Sequence, residues 1–259
     1  MNLIGFMSDF GLQDPYAGIV KAVMAGINPH IHIIDITHHI SAHDIAAGAL
    51  VLETAYGNFP AGSIFLAVVD PGVGSDRAGI LAVSDRYSFV APDNGVLSRI
   101  FKLEGELTCY RIENRAFFPG PVSNTFHARD IFGPAAAHLS LGTPPPEFGP
   151  IHHEPVRIEW PEPVIGPEGI TGQVIHVDGF GSLLTNIPYE IIRQQLPGKH
   201  AASVSIGSRV IPVHRTYSDV PPGSALALSG SSGLLEIAVN QGSARDLLEA
   251  GPGTPVTVT

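Results

Sequence analysis

Ile64-Phe65-Leu66-Ala67-Val68-Val69-Asp70-Pro71-Gly72-Val73-Gly74-Ser75-Asp76-Arg77 reads as a buried strand that runs into a stiff loop, and an α/β fold follows from it. The unbroken apolar first half is the pattern of a strand covered on both faces. Pro71 then fixes one backbone angle, while Gly72 and Gly74 allow angles that a side chain forbids. A carboxylate, Asp70, and a guanidinium, Arg77, are thereby expected on a bent loop at a strand end. Open α/β sheets bind ligands there. Ala91-Pro92-Asp93-Asn94-Gly95, after the apolar run ending at Val90, and Thr125-Phe126-His127-Ala128-Arg129-Asp130 have the same character. Together they place Asp, Arg and His in one candidate site.

Outward from this stretch the chain alternates strand and helix. Leu3 to Met7 reads as the first strand, and Tyr16, Ile19, Val20, Val23, Met24 and Ile27 fall on one helical face. Ile31 to Ile36 is a second strand. Ser41 with Asp44 three residues on gives a capping-box signal for a helix carrying Ile45, Ala49, Leu52 and Tyr56. Strands at Gly79 to Ser84 and Tyr87 to Val90, and helices at Val96 to Phe101 and Ile131 to Leu141, complete the half. The pattern predicts a mixed, mainly parallel sheet with helices on both faces.

The composition then changes. Pro144, Pro145, Pro146, Pro150, Pro155, Pro161, Pro163 and Pro167 leave no room for a helix or a central strand. Beyond them, Thr171 to Val177, Ser203 to Ile206, Val210 to Val213, Ala225 to Leu228, Leu234 to Val239 and Val256 to Val258 are short runs separated by Gly, Ser and Pro. Such spacing predicts a small β-barrel or sandwich. The expected organisation is an α/β domain over 1–150, a proline-rich linker over 151–167 and a smaller β-barrel domain over 168–259.

Composition limits the functions available. The 259 residues are 44% hydrophobic and 15% charged, which describes a compact folded protein. A net charge of −10, with no basic run to reverse it locally, disfavours nucleic acid and anionic membrane as partners. Cys109 stands alone, so an internal disulfide and a cysteine-based zinc site are both ruled out. A reducing compartment suits it. The start, Met1 to Asp9, lacks a basic leader, and no apolar run approaches the roughly 20 residues that span a bilayer, so a cytoplasmic location is expected.

Each motif is also compatible with a plainer role. Ser8-Asp9-Phe10-Gly11 follows the first strand, where the Asp9 carboxylate could accept from both hydroxyls of a ribose diol, although a turn aspartate explains it as well. Asn94 sits in an Asn-Gly turn signal. Asp70, Arg77 and His127 can form a hydrogen-bonded chain whose polar end holds a water. His30, His32, His38, His39 and His43, with Asp35 and Asp44, include no His-x-x-x-His pair with an intervening Glu, so no metal site is expected. Asp178-Gly179-Phe180-Gly181-Ser182 and Ser229-Gly230-Ser231-Ser232-Gly233 offer polar groups on turns, and neither matches a phosphate loop.

Taken in order, Ser8-Asp9-Phe10-Gly11, Val69 to Ser75, Ala91 to Gly95, Phe126 to Asp130, Asp178 to Gly181 and Gly233-Leu234-Leu235-Glu236-Ile237-Ala238 resemble the S-adenosyl-L-methionine hydroxide adenosyltransferase family over nearly the whole chain. The resemblance implies an N-terminal α/β domain, a C-terminal β-barrel, and a homotrimer with active sites between neighbouring subunits. It also implies conversion of S-adenosylmethionine and water to adenosine and methionine, with no cofactor. Fluorinase and chlorinase are similar in fold. Where they carry tyrosines this chain has Asp70 and His127, Ala128 replaces the serine that helps hold halide in fluorinase, and the stretch from Arg77 to Tyr87 is too short for their extra loop. Asp70, Arg77 and His127 are then the expected catalytic residues, with Asp70 or His127 taking the proton from water. Asp9, Asn94, Asp178, Ser182, Ser231 and Ser232 are the expected substrate contacts. Ser182 departs from the family's usual asparagine, and Ser232 lies where halogenases have an arginine. A halogenase and a non-catalytic adenosine-binding module are the alternatives.

Overall fold

The computed structural model describes residues 3–167, 169–195 and 203–259. Residues 1 and 168, where the sequence sets two domain boundaries, lie outside this description. The chain divides into two units between Ile158 and Glu159.

The first unit runs β1 (Leu3–Ser8), α1 (Tyr16–Ile27), β2 (His32–Thr37), α2 (Ile45–Tyr56), β3 (Ile64–Val68), β4 (Gly79–Val83), β5 (Ser88–Pro92), α3 (Ser98–Leu103) and β6 (Thr108–Arg111). A π-helical turn, Ala128–Phe132, leads into α4 (Gly133–Ser140). The sheet order is β2-β1-β3-β5-β4-β6, parallel from β2 through β5 and antiparallel around β4. All five residues of β3 are buried. Leu66 and Val68 pack with Val20 and Met24 of α1 and Ala136 of α4, whereas Phe65 and Ala67 pack with Leu52 of α2 and Ile100 of α3. Strand alternation thus sends one apolar run to two helical layers, which is why the run shows no polar gaps.

The second unit runs β7 (Val164–Gly166), β8 (Gly169–Val177), β9 (Leu183–Pro188), α5 (Tyr189–Gln195), β10 (Ser203–Ile206), β11 (Arg209–Pro212), β12 (Ala225–Ser229), β13 (Leu234–Val239), α6 (Ala244–Leu248) and β14 (Pro255–Val258). Its antiparallel path is β11-β10-β14-β8-β9-β13-β12, with β7 added against β8. Val213, just past β11, bridges Ala227 of β12, so the path returns to its start as a nearly closed barrel. Val174, Leu183, Val204, Ile237 and Val256 fill the interior. The mixed α/β unit and the barrel are the expected fold class. No helix among the described residues is long and apolar enough to cross a membrane.

Several local expectations are corrected. Asp44 itself caps α2, its side chain accepting from the Ala47 N–H at 2.8 Å, while Ser41 supplies only a backbone carbonyl to Asp44. The helix expected from Ile131 begins as the wider turn at Ala128. Gly133 N–H reaches back to the Ala128 carbonyl, and Pro134 has no N–H to continue an ordinary ladder. Strand β9 was not readable. Its buried polar residues hide it: Thr185 donates to the Leu235 carbonyl at 2.9 Å, and Asn186 accepts from the Gln173 N–H at 2.7 Å. Strand β6 and helices α5 and α6 are too short for periodicity to show.

Candidate active site

The Asp70 to Arg77 loop spans the end of β3 and the start of β4. It folds on itself through the Val73 N–H to the Asp70 carbonyl at 3.2 Å and the Ser75 hydroxyl to the Gly72 carbonyl at 2.7 Å. Only Gly74 needs its glycine, contrary to the reading of both. Its φ is +82°, and an added Cβ would run into the Asn124 carbonyl oxygen, whereas a Cβ on Gly72 would sit 3.5 Å from Arg77 Cγ. Gly74 is therefore where this loop seats against the loop that carries His127. Gly74→Ala is expected to destabilise the fold by about 1–3 kcal/mol and to lower turnover, with Gly72→Ala near neutral. Urea unfolding and activity of the two variants check the contrast.

Three side chains meet across these loops. Arg77 Nε donates to Asp70 Oδ1 at 2.9 Å, and Nη2 donates both to Asp70 Oδ2 and to His127 Nδ1, the latter at 2.7 Å. The Asp70 and Arg77 side chains are 7% and 10% exposed, and the guanidinium lies 5.1 Å from the centre of the Phe132 ring. A guanidinium only donates, so the accepting Nδ1 of His127 is unprotonated and the neutral ring carries its proton on Nε2. Burial, reinforced by the positive charge of Arg77, lowers the pKa of His127 against the opposing pull of Asp70 and Asp130. The next residues anchor the loop: Asp130 accepts from the Ser123 N–H at 2.8 Å and from Arg129 at 2.6 Å, and Arg129 stacks over Phe126.

Asp9, Asp70 and His127 all line one cavity of about 260 Å³, walled further by Phe10, Tyr16, His43, Val73 and Phe126. Asp9 accepts the His43 N–H at 2.9 Å, and His43 holds a left-handed φ of 68°. Phe10, Tyr16 and Phe126 touch edge to face, Tyr16 and Phe126 at 5.4 Å between ring centres. The sequence reading put Tyr16 on the packed face of α1; it is 45% exposed because it lies at the helix start, facing this cavity. Phe10, Phe126 and His43 went unassigned, and aromatic residues beside the Asp9 and His127 motifs were the available signal.

The other expected contacts are placed elsewhere. Asn94 donates to the Val69 carbonyl at 2.8 Å and accepts from the Val96 N–H at 3.2 Å, so its amide braces the end of β3 and it does not line the cavity. On the second unit, Asp178 Oδ1 accepts from the Phe180 and Ser182 amides at 2.9 and 2.8 Å. Asp178 and Ser182 line a second cavity of about 430 Å³ with Phe180 and Tyr217. Phe180 is 84% exposed. Ser231 and Ser232 are exposed at the β12–β13 hairpin tip and line neither cavity. A larger hollow of about 640 Å³ beside β6, lined by Ser84, Asp85, Glu106 and Thr108, contains none of the expected site residues. Among the described residues no group of three or more His, Cys, Asp or Glu side chains is arranged to hold a metal ion.

Residues 4–149 match the SAM hydroxide adenosyltransferase N-terminal domain, and residues 172–257 match the C-terminal domain of the same family. The chain belongs to the SAM hydroxide adenosyltransferase family. This family member is 40% identical to an (R)-S-adenosyl-L-methionine hydrolase of Thermus thermophilus, over 99% of both chains. It is 35% identical to a protein of the same name from Salinispora arenicola, over 99% of this chain and 97% of the other. A fluorinase of Actinoplanes is 28% identical over 71% of each chain, a more distant relation. Among solved structures, a conserved protein of Thermotoga maritima superimposes with a TM-score of 0.93 at 38% identity, covering 99% of this adenosyltransferase-family chain and all of the other.

Proposed function

We propose that the chain hydrolyses S-adenosyl-L-methionine to adenosine and L-methionine by attack of water at C5′ of the ribose. One observation carries this reading: Asp70, Arg77 and His127 form a single directed hydrogen-bonded chain, and both of its ends line the cavity that holds Asp9. Neutral methionine leaves a sulfonium without help from a general acid. The site therefore has to orient a water, take its proton and limit access by bulk solvent. Orientation alone is worth up to about 7–11 kcal/mol. Because Arg77 occupies Nδ1 of His127, the ring donates through Nε2 and is not the base. Asp70 has carboxylate lone pairs beyond those that Arg77 uses, and it takes the proton as the C–O bond forms. That step is less demanding than making free hydroxide first, since bulk water has a pKa of about 15.7.

In the same proposal Asp9 receives the ribose diol, and Asp178 and Ser182 contact substrate. Asn94 acts by bracing Val69, and Ser231 and Ser232 keep exposed hydroxyls for the substrate's polar ends. The protein works without metal or cofactor, as a homotrimer in a reducing cytoplasm, with neither nucleic acid nor membrane as partner.

Product analysis tests the function. Incubation with S-adenosylmethionine in chloride or fluoride buffer is expected to yield adenosine and methionine in equal amounts, unchanged by a chelator. A halogenated nucleoside would establish the halogenase instead, and intact substrate beside retained adenosine would establish a binding module. A sedimentation mass other than three chains would reject the trimer.

The relay also predicts a pH profile. Protonating His127 puts an N–H against the Arg77 N–H and breaks the link. With the His127 pKa lowered by burial and Arg77, the ring takes up its proton at a lower pH than an ordinary histidine does. The acid limb of kcat/KM is therefore expected below about 6.5, with the rate lost as pH falls through that limb. A limb at or above that value would contradict the assignment.

A further inference from the structure

A second hydrogen-bonded chain lies at the other side of Asp9, in residues to which the proposed reaction gives no part. Lys21 of α1 donates to Asp35 Oδ2 of β2 at 2.6 Å. His38 Nε2 lies 3.1 Å from Asp35 Oδ1, and His38 Nδ1 lies 2.7 Å from Ser8 Oγ at the end of β1. The Phe10 N–H in turn points at Ser8 Oγ, at 3.3 Å.

The two ends set every direction in this chain. The Asp35 carboxylate only accepts, so Nε2 of His38 carries a proton, and in the neutral ring, which burial favours, Nδ1 is bare. Ser8 must then donate its hydroxyl proton to Nδ1, which leaves its oxygen free to accept from Phe10. His38 also uses its backbone, accepting the Gly11 N–H at 2.7 Å. One residue thus holds the Ser8–Gly11 turn on both sides of Asp9 and Phe10.

The order Ser, His, Asp is that of a hydrolase triad, but the chemistry differs. Ser8 is 0% exposed, and the ring nitrogens are used in the opposite sense to a serine hydrolase, where Nε2 faces the serine. No substrate reaches this hydroxyl. His38 is itself 2% exposed and sits edge-on to Phe6 at 4.6 Å between ring centres. Burial lowers its pKa, opposed by Asp35 and aided by Lys21 and His39, so the bare Nδ1 persists near neutral pH.

We propose that His38 is a positioning residue for ribose recognition: through Ser8 and its own carbonyl it clamps the turn that aims Asp9, a role that rests on Asp9 being the group that receives the diol. Removing the ring leaves Ser8 without its acceptor and frees the Ser8 side of the turn, with the His38 carbonyl still holding Gly11 and Lys21 still holding Asp35, while Asp70, Arg77 and His127 keep their own contacts. The loss should therefore appear in diol recognition and not in the chemical step.

The test measures the affinity of adenosine and of 2′,3′-dideoxyadenosine for the full chain, together with kcat and KM. His38→Leu is expected to weaken adenosine about tenfold while leaving the dideoxy ligand unchanged, and to raise KM with little change in kcat. Ser8→Ala deletes a single hydroxyl and should move the same ratio in the same direction, which keeps the test decisive if the leucine variant does not fold. His38→Asn, whose amide oxygen can stand near the Nδ1 position and accept from Ser8, should recover part of the selectivity; His38→Gln, which reaches Asp35 instead, should not. Equal weakening of both ligands, or no change in the ratio, would overturn the proposal and leave His38 a structural residue. Asp9→Ala separates the two readings. If it abolishes selectivity while His38→Leu and Ser8→Ala do not, only the clamp fails; if Asp9→Ala leaves selectivity intact, the ribose reading fails and the clamp falls with it.

Discussion

Turnover falls by about 10² to 10⁴ in Asp70→Asn, the usual scale for a positioned base, while adenosine still binds as in the unaltered protein. The asparagine is nearly isosteric, so the loop persists, but it offers one acceptor oxygen where Arg77 now uses two and it cannot take a proton from water. Arg77→Lys should be almost as damaging. A guanidinium reaches Asp70 with two nitrogens and still has an N–H for His127, whereas an ammonium is a point charge that cannot span both in the same plane. Single-turnover rates beside adenosine titrations read the two effects separately. Unaltered turnover in Asp70→Asn would remove the relay from the mechanism.

Adenosine affinity drops about 10- to 100-fold in Asp9→Ala, from the loss of charge-assisted hydrogen bonds worth about 1.5–3 kcal/mol. The 2′,3′-dideoxy ligand makes no such bonds and should be spared. Asp9→Asn isolates the charge. It keeps an acceptor for the His43 N–H, so the left-handed residue at 43 stays held, and diol affinity still declines. Calorimetric titration of both ligands against both variants checks this, and equal losses for diol and dideoxy ligands would make Asp9 a turn residue only.

The parts legible in the sequence are those whose signal is local. Ile64 to Val68 reads as a strand because five consecutive apolar residues suit only a site covered on both faces, and the structure covers it with α1 and α4 on one side and α2 and α3 on the other. The barrel runs were separable because turn residues interrupt short apolar stretches. Strand β9 was not, because Thr185 and Asn186 are buried polar groups satisfied by Leu235 and Gln173, partners distant in sequence. Tyr16 misled for a related reason. Helical spacing assigns it to a face, but only the neighbouring Phe10 and Phe126 make that end of the face a cavity wall.

By itself the sequence determined that Asp70 and Arg77 share a bent loop after a buried strand, since chain connectivity and backbone stereochemistry suffice for that. It also determined the α/β and β-barrel halves, through patterns with periods of two and 3.6. Tertiary structure decided the rest. Only the meeting of two loops, 50 residues apart in sequence between Arg77 and His127, sets which ring nitrogen is bare and hence that His127 donates. The same holds for Asn94, committed to Val69, and for His38, committed to Ser8. A hydrogen bond's direction depends on what every neighbour can give or accept, and those neighbours are brought together only by folding.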